Sequence, residues 1–334
     1  MANRHGFVPV LHAATDRSPD EVDTLVAAEA VAAALVRLGY KTEICFVDFD
    51  LSRLEDLAAR QPLLVFNLVE AMRGDDRLFG IVPAVLEHLG LAFTGGGSAD
   101  ISTTLSKCRT KQLLRAAGLP TAGWSVDGAT CEPGSLYIVK ADLYHGSVGM
   151  DAQSVVTGAK TGAEIADRRR RYGIDFFAEQ FIDGREFNVA LTAGAGRVKL
   201  LPIQEIVFED FADGQAQIVD YAAKWDPDST VYHATPRRFG IEAREPMLAK
   251  TLAGITLAAW QALSLGGYGR VDFRVDDQGH AFVLEVNINP AIAPDAGMVA
   301  AAAEAGMAYD DLIKTIVEDG IAHHVNITKA RNHA

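Results

Sequence analysis

The chain has 334 residues and a hydrophobic fraction of 49%, enough for two or three domains with buried cores. Its formal net charge of −13 disfavours nucleic acid or an anionic membrane as a partner. Three widely spaced cysteines form no metal-binding pair and suit a reducing compartment. We find no signal-peptide pattern and no run of about 18 apolar residues, so we expect a cytoplasmic protein.

The first third of the sequence alternates between strand and helix patterns. A strand is predicted at 7–13, and a helix follows from Ser18, with Glu21 completing a capping box and Gly39 ending the helix. Two more strands, "KTEICFVDF" and 62–70, flank another helix. This alternation predicts a parallel sheet with crossover helices.

The middle of the chain begins with a predicted helix-rich stretch at 98–117. A strand within 135–150 then runs into a glycine-containing loop, "GSVGM". The next helix is predicted to open at Thr161 with a second capping box to Glu164, and a strand follows at 175–182. We expect the basic run "RRRR" in that helix to form a solvated face.

The last part of the sequence favours longer, antiparallel strands. Strands are predicted in "REFNVALTAG", "VKLLPIQEIVFE" and "AQIVDYAAKW", and a long helix at 245–265. A hairpin is predicted in "GRVDFRVDDQGHAFVLEVNINP", followed by an amphipathic helix at 309–319.

The second strand of that hairpin has an unusual polar face. Strict alternation places a mostly polar set of side chains on one face: Val283, Glu285, Asn287 and Asn289. The other face is apolar and carries Phe282, Leu284, Val286 and Ile288. Glu and Asn are poor strand formers, and here they recur at every second position. The polar face therefore either faces solvent or binds something.

The turn decides which residues face each other across the hairpin. A two-residue turn at Gln278-Gly279 sets Asp272 opposite Glu285, whereas a three-residue loop slips the pairing by one. On the first register Asp272, Glu285 and Asn287 converge, and two facing carboxylates need a cation. Oxygen ligands of this kind suit Mg²⁺; the alternative is a solvent-facing hairpin with polar decoration.

Three lysines have the placement expected of phosphate ligands. Lys140 ends an apolar strand just before the glycine loop, Lys224 follows a predicted strand, and Lys107 lies on a helix, where a solvated face is the alternative. Glu179 and Glu186 flank a turn, and Glu186 suits the two hydroxyls of a ribose.

Taken in order, these segments resemble the ATP-grasp superfamily, and specifically D-alanine:D-alanine ligases. The similarity covers most of the chain, from residue 80 through "IVKADLYHGSVGM", "AEQFIDGREFNVAL" and "DYAAKW" to "GRVDF…VLEVNINP". The resemblance implies a three-domain fold of α/β and α+β class. A parallel N-terminal α/β domain (1–96) would precede central (97–183) and C-terminal (184–325) α+β domains that grip ATP, with a tail at 326–334. It also implies a homodimer.

The resemblance assigns roles to residues that match the family's motifs. Lys107 and Lys140 would contact ATP phosphates, Glu179 and the backbone near Phe181 and Ile182 the adenine, Glu186 the ribose, and Lys224 the γ-phosphate; Asp272, Glu285 and Asn287 would hold two Mg²⁺ ions, with Mn²⁺ as an alternative, and Arg270 would face the developing oxyanion.

Departures from the family's pattern cluster at the amino-acid pocket. The paired serines of the glycine loop are Gly146 and Ser147 here, so only Ser147 keeps a hydroxyl, and the tyrosine after the loop lysine is Trp225. The serine implied to bind the second substrate's carboxylate aligns near Ala296. Glu21 aligns loosely with the glutamate that grips the first substrate's ammonium.

The expected activity is that of an ATP- and Mg²⁺-dependent carboxylate–amine ligase. It would form an amide or peptide bond through an acyl phosphate, releasing ADP and phosphate, and would accept small carboxylate and amine substrates, amino acids above all. The altered pocket favours a changed specificity. The alternatives are a genuine D-alanine:D-alanine ligase of peptidoglycan synthesis and a non-catalytic nucleotide-binding protein; a dinucleotide-binding oxidoreductase is disfavoured because no G-x-G-x-x-G follows the first strand.

Overall fold

Three β-sheets organise the part of the chain that the structure, a computed structural model, describes: residues 6–13, 18–194, 197–212 and 214–332. The first sheet has the order β2-β1-β3 and is parallel, as predicted. Its region comprises β1 (Val10–His12), α1 (Pro19–Arg37), β2 (Ile44–Phe46), α2 (Ser52–Ala59), β3 (Phe66–Asn67) and α3 (Ile81–His88). Ser18 is the N-cap residue of α1, but its side chain makes no capping hydrogen bond, so the predicted capping box is wrong.

The second sheet is antiparallel, with the order β4-β7-β5-β6. Its region comprises α4 (Ser98–Thr104), α5 (Lys107–Ala116), β4 (Trp124–Ser125), β5 (Leu136–Ala141), β6 (Val155–Thr157), α6 (Thr161–Tyr172) and β7 (Phe176–Gln180). The helix-rich stretch predicted at 98–117 contains two helices, because the Ser106 hydroxyl accepts a hydrogen bond from the Arg109 N–H and starts α5.

Helix α6 differs from its prediction in two further ways. Its N-cap residue is Lys160 without a side-chain cap, and Glu164 instead accepts from the Arg168 Nε at 2.7 Å. Arg168 is completely buried, whereas a solvated basic face was expected. Its guanidinium also donates to the Gly149 carbonyl and to Asp151, so a residue of the basic run holds the end of the glycine loop.

The third sheet is antiparallel with the order β11-β10-β8-β12-β13, and β9 pairs with β8. In chain order this region contains β8 (Arg185–Gly194), β9 (Arg197–Leu200), β10 (Gln204–Ile206), α7 (Tyr221–Trp225), α8 (Thr230–His233), β11 (Arg237–Arg238), α9 (Ile241–Arg244), α10 (Pro246–Ala262), β12 (Tyr268–Val275), β13 (Ala281–Ile288), α11 (Gly297–Glu304) and α12 (Tyr309–Asn332). "AQIVDYAAKW" is not a strand: Asp220 caps α7 by accepting from the Ala223 N–H. Helix α12 extends well beyond the predicted 309–319.

The β12–β13 hairpin reaches the predicted pairing by another route. Its turn is a three-residue loop, closed by the Asp276 N–H to the His280 carbonyl, which alone would slip the register by one. A bulge at Leu284 cancels this one-residue slip, so Asp272 lies opposite Glu285 as predicted. The bulge also turns Val283 into the core, and Leu284 replaces it on the polar face.

A shared hydrophobic core joins the first sheet's region to the end of the chain. Residues of α1, including Val31 and Leu35, pack in the same buried cluster as Leu312 and Ile316 of α12. The second sheet packs on a separate core around Val139 and other residues of β5, β7 and α6. Among the described residues, no helix combines the length and apolar character needed to cross a membrane.

We expect Leu312→Ala to lower the free energy of unfolding by about 2–5 kcal/mol, because it leaves a cavity in the core that joins α1 to α12. Urea denaturation followed by circular dichroism measures this loss. Leu257→Ala on α10 is the control, since Leu257 is 42% exposed and its truncation should change stability by no more than about 0.5 kcal/mol. Equal losses in the two variants would contradict the packing described.

Candidate functional site

A cavity of about 650 Å³ lies where the three sheet regions meet. Every residue that the sequence predicts for the site lines it: Glu21, Lys107, Lys140, Ser147, Glu179, Phe181, Ile182, Glu186, Lys224, Arg270, Asp272, Glu285 and Asn287. The structure therefore brings the whole predicted set together, and the role of each residue stays a prediction.

A row of polar side chains crosses the third sheet on the cavity side. The cross-strand partners run from Glu285 on β13 to Asp272 on β12, Asn188 on β8 and Gln204 on β10. Directly paired residues in antiparallel strands share a face, so all four belong to the same side of the sheet. The Asn188 Nδ2 donates to the Asp272 Oδ1 at 2.8 Å, and Gln204 is 2% exposed.

Side chains from three different elements contact the two facing carboxylates. The Arg270 guanidinium donates two hydrogen bonds to Asp272, at 2.7 and 2.8 Å. Glu285 Oε1 lies 3.2 Å from the Lys107 Nζ and 3.1 Å from the His145 Nδ1. Burial raises the pKa of Glu285, but the charge of Lys107 and the contact with His145 outweigh burial and hold that pKa well below its usual value.

The donor chemistry of this hairpin fits a hard divalent ion. Asp272 and Glu285 supply carboxylate oxygens, and the Asn287 Nδ2 donates to Asp272 at 2.9 Å, which brings the amide beside them. Among the described residues, no group of three or more His, Cys, Asp or Glu side chains is placed to hold a metal. Mg²⁺ is commonly held by one or two carboxylates and completes its coordination with phosphate oxygens and water.

A second buried charge cluster lies on the opposite wall. Glu179 is 1% exposed and is paired with both Lys140, at 2.5 Å, and Lys111. Lys111 also donates to the Thr121 hydroxyl at 2.7 Å, and burial lowers its pKa. Sequence reasoning missed Lys111, although its position four residues after Lys107 on one helix face is a usable signal.

Arg274 is another site residue that the sequence did not single out. Its guanidinium lies 3.0 Å from Glu186, which it faces across β12 and β8, and over the Phe181 ring at 5.9 Å from the ring centroid. The predicted ribose carboxylate is thus already paired with a cation that also donates to the Gly184 carbonyl. The sequence signal for Arg274 is its position two residues after Asp272 on the same predicted strand, which places both side chains on one face.

The glycine loop and the two residues before it are held by hydrogen bonds to three other parts of the chain. The Lys107 Nζ donates to the Tyr144 carbonyl at 2.6 Å, and the His145 N–H donates to Asp76 at 2.8 Å. The Ser147 hydroxyl donates to the Val219 carbonyl at 2.9 Å, so this hydroxyl holds the loop against the segment before α7.

Two of the departures from the family pattern contact each other. The Trp225 indole N–H donates to the Gly146 carbonyl at 2.9 Å. Gly146 has a φ of +66°, and a Cβ there would lie 3.3 Å from the Trp225 Nε1. Beside them, burial and the charge of Arg270 lower the pKa of Lys224. The absence of a side chain at Gly146 therefore accommodates the larger ring at Trp225.

Comparison with known proteins gives one consistent result. Residues 134–318 match the family described as D-ala D-ala ligase C-terminus. A D-alanine–D-alanine ligase from Gluconobacter oxydans (strain 621H) is 33% identical over 307 residues, which cover 90% of this chain and 94% of that protein. The uncharacterized protein y4sG from Sinorhizobium fredii (strain NBRC 101917 / NGR234) is 32% identical over 304 residues, covering 89% and 87%. In fold, the crystal structure of the D-alanine–D-alanine ligase from Bacillus anthracis is similar, with a TM-score of 0.75 at 20% identity, covering 97% of this chain and 99% of that one.

The contact between Gly146 and Trp225 predicts a non-additive pair of substitutions. Gly146→Ala should lower the free energy of unfolding by about 1–2 kcal/mol, because it strains a left-handed residue and its Cβ meets the indole. In the Trp225→Phe background, Gly146→Ala should lower the free energy of unfolding by a smaller amount, because the contact with the indole is absent. Urea denaturation of the four proteins measures the difference, with Gly134→Ala, which meets no atom within 4 Å, as control. Equal losses in both backgrounds, within about 0.5 kcal/mol, would count against a steric contact.

Proposed function

The chain belongs to the D-alanine–D-alanine ligase family and is therefore an ADP-forming ligase of C–N bonds. We propose that it uses ATP and a divalent metal ion to join a small carboxylate to an amine, and that its substrate specificity differs from that of D-alanine–D-alanine ligases. The observation that carries the proposal is the meeting, in one cavity, of the Asp272–Glu285 pair with cations from separate elements. The alternative of a non-catalytic nucleotide-binding protein is not favoured, because the family to which the chain belongs is one of ligases.

The cations of the cavity supply the positive potential that a triphosphate needs. Lys107 and Lys140 approach from α5 and β5, and Lys224 approaches from α7 on the far side. Asp272, Glu285 and Asn287 would hold the divalent ion, which supplies charge neutralisation at the phosphates. Phe181, Ile182 and Glu186 line the part of the cavity proposed for adenosine.

The reaction proceeds in two displacements. A carboxylate oxygen of the first substrate attacks the γ-phosphorus of ATP, and the bond to the β–γ bridging oxygen breaks to give an acyl phosphate and ADP. The nitrogen of the second substrate then attacks the acyl carbon, loses a proton, and expels phosphate with the electrons of the C–O bond. Arg270, held by two hydrogen bonds to Asp272, stabilises the negative charge that develops on the acyl oxygen.

The amino-acid end of the cavity favours a changed specificity. The Trp225 N–H is already engaged by the Gly146 carbonyl, and Ala296 has no hydrogen-bonding side chain. A site that lacks the polar groups of a relative loses that relative's substrate, because the partners of those groups stay unpaired. One observation favours the second candidate, a genuine D-alanine–D-alanine ligase: Glu21, which aligns loosely with the family's ammonium-binding glutamate, is 8% exposed and lines the cavity.

The use of two ions, Mn²⁺ as a substitute for Mg²⁺, a homodimer and a cytoplasmic location stay predictions. Titration of activity with each metal and sedimentation of the purified chain address the first three.

The direct test is an assay with ATP, Mg²⁺ and pools of L- and D-amino acids, scored by ADP release and product mass. We expect ADP, phosphate and an amide product. Release of AMP and pyrophosphate would overturn the acyl-phosphate route, and ADP release with D-alanine alone would replace the changed specificity with the second candidate. No stimulation of ADP release by any pool would remove the proposal.

Glu285→Gln should lower turnover by on the order of 10²–10³, because it removes one charge from the carboxylate pair. The matched control is Asp277→Asn, the same change of carboxylate to amide in the exposed turn of the same hairpin. Steady-state ADP release measures both, and thermal unfolding verifies that each variant folds. Near-normal turnover of Glu285→Gln would remove the metal assignment.

A further inference from the structure

Arg274 is a buried cation at the cavity wall to which the proposed reaction assigns no role. It lies on β12, its side chain is 5% exposed, and it lines the cavity. Burying a guanidinium is costly unless its charge is paired and its N–H groups are hydrogen-bonded. The partners of this guanidinium therefore show what it holds in place.

The guanidinium bonds three separate parts of the chain. Its Nη1 donates to the Gly184 carbonyl, directly before β8, at 2.9 Å. Its Nη2 lies 3.0 Å from the Glu186 Oε2 and donates to the Gln217 carbonyl, in the segment 214–220 that leads into α7. The planar fork of an arginine fixes such acceptors relative to one another, which the single ammonium of a lysine does not.

Two aromatic rings also face this guanidinium. The centroid of the Phe208 ring lies 5.0 Å from the guanidinium carbon, and that of the Phe181 ring lies at 5.9 Å. Both distances suit a cation–π contact. Phe181 lines the part of the cavity proposed for adenosine, whereas Phe208 lies after β10, in the connection that leads to α7. Arg274 thus contacts both the proposed nucleoside wall and the connection that carries Lys224.

Resting on the proposed function, we propose that Arg274 is a positioning residue that couples the nucleoside pocket to the placement of Lys224. Its contact with Oε2 orients Glu186, so that Oε1 is left to accept from a ribose hydroxyl. Its bond to the Gln217 carbonyl holds the segment 214–220 against the same wall, and Lys224 follows on α7. A bound ribose stabilises the carboxylate position in which Arg274 reaches both partners, so ATP also orders the segment.

The α7 end of this segment has anchors that do not depend on Arg274. The Ser147 hydroxyl donates to the Val219 carbonyl at 2.9 Å, and the Tyr221 N–H donates to the Met150 carbonyl at 3.2 Å. These bonds join the segment to the glycine loop and not to the nucleoside wall. Loss of Arg274 should therefore release the residues around Gln217 and leave the start of α7 attached.

The test follows amide hydrogen exchange in the segment 214–220 with and without Mg²⁺ and ATP, because this readout needs no amino-acid substrate. In the unaltered protein, ATP should slow exchange about tenfold or more, and 2′,3′-dideoxy-ATP, which lacks both ribose hydroxyls, by less than about threefold. In Arg274→Met, both nucleotides should slow exchange by less than about threefold, while titration calorimetry still detects ATP binding.

Arg197→Met, on an exposed part of β9 in the same sheet, is the matched control and should respond to both nucleotides as the unaltered protein does. Phe208→Leu is the second variant, for use if Arg274→Met folds poorly. It removes only the ring on the connection side and should weaken the slowing by ATP, while the Kd for ATP changes by less than about twofold.

Unchanged slowing by ATP in either folded site variant would overturn the coupling, as would equal slowing by the two nucleotides in the unaltered protein. The absence of ATP binding to the unaltered protein would instead overturn the proposed function.

Discussion

The facing of Asp272 and Glu285 across β12 and β13 is the constraint around which the site is built. Two like charges on directly paired residues of neighbouring strands are unfavourable in a buried setting, so each carboxylate needs a compensating positive charge. Arg270 comes from the same strand as Asp272, whereas Lys107 comes from α5. His145, which directly precedes the glycine loop, also contacts Glu285. Electrostatic compensation therefore draws elements that are distant in sequence onto one hairpin, and the cavity forms where they meet.

The glycine loop and the residue before it connect the hairpin site to other parts of the molecule. They contact the first sheet's region through Asp76, α6 through Arg168, and the segment before α7 through the hydroxyl of Ser147. A loop held at three places has little freedom, which suits a segment whose backbone borders a phosphate. The exchange of a serine for Gly146 fits the same logic, because the larger Trp225 takes the space and keeps the loop attached.

Much of the fold and the membership of the site follow from local sequence patterns and motifs, but the details depend on packing. The pairing of Asp272 with Glu285 was predicted from a two-residue turn, and the structure reaches it through a longer loop and a compensating bulge at Leu284. Nothing local in the sequence marks that bulge, since it depends on which side chain fills the core. The buried pairs of Arg168 and Lys111 were missed for the same reason: their partners are brought close by the fold. The membership of the family is confirmed, while the residue roles and domain boundaries stay predictions.

The core shared by α1 and α12 divides the walls of the cavity between two packed parts of the molecule. Buried apolar contacts join the first and third sheet regions, whereas the second sheet packs on its own core around Val139. The Glu179 cluster connects these two parts, because the Lys111 Nζ also donates to the Thr121 hydroxyl, which donates to the Val283 carbonyl on β13. A buried carboxylate shared between two lysines thus fastens the second sheet to the hairpin that carries Asp272 and Glu285.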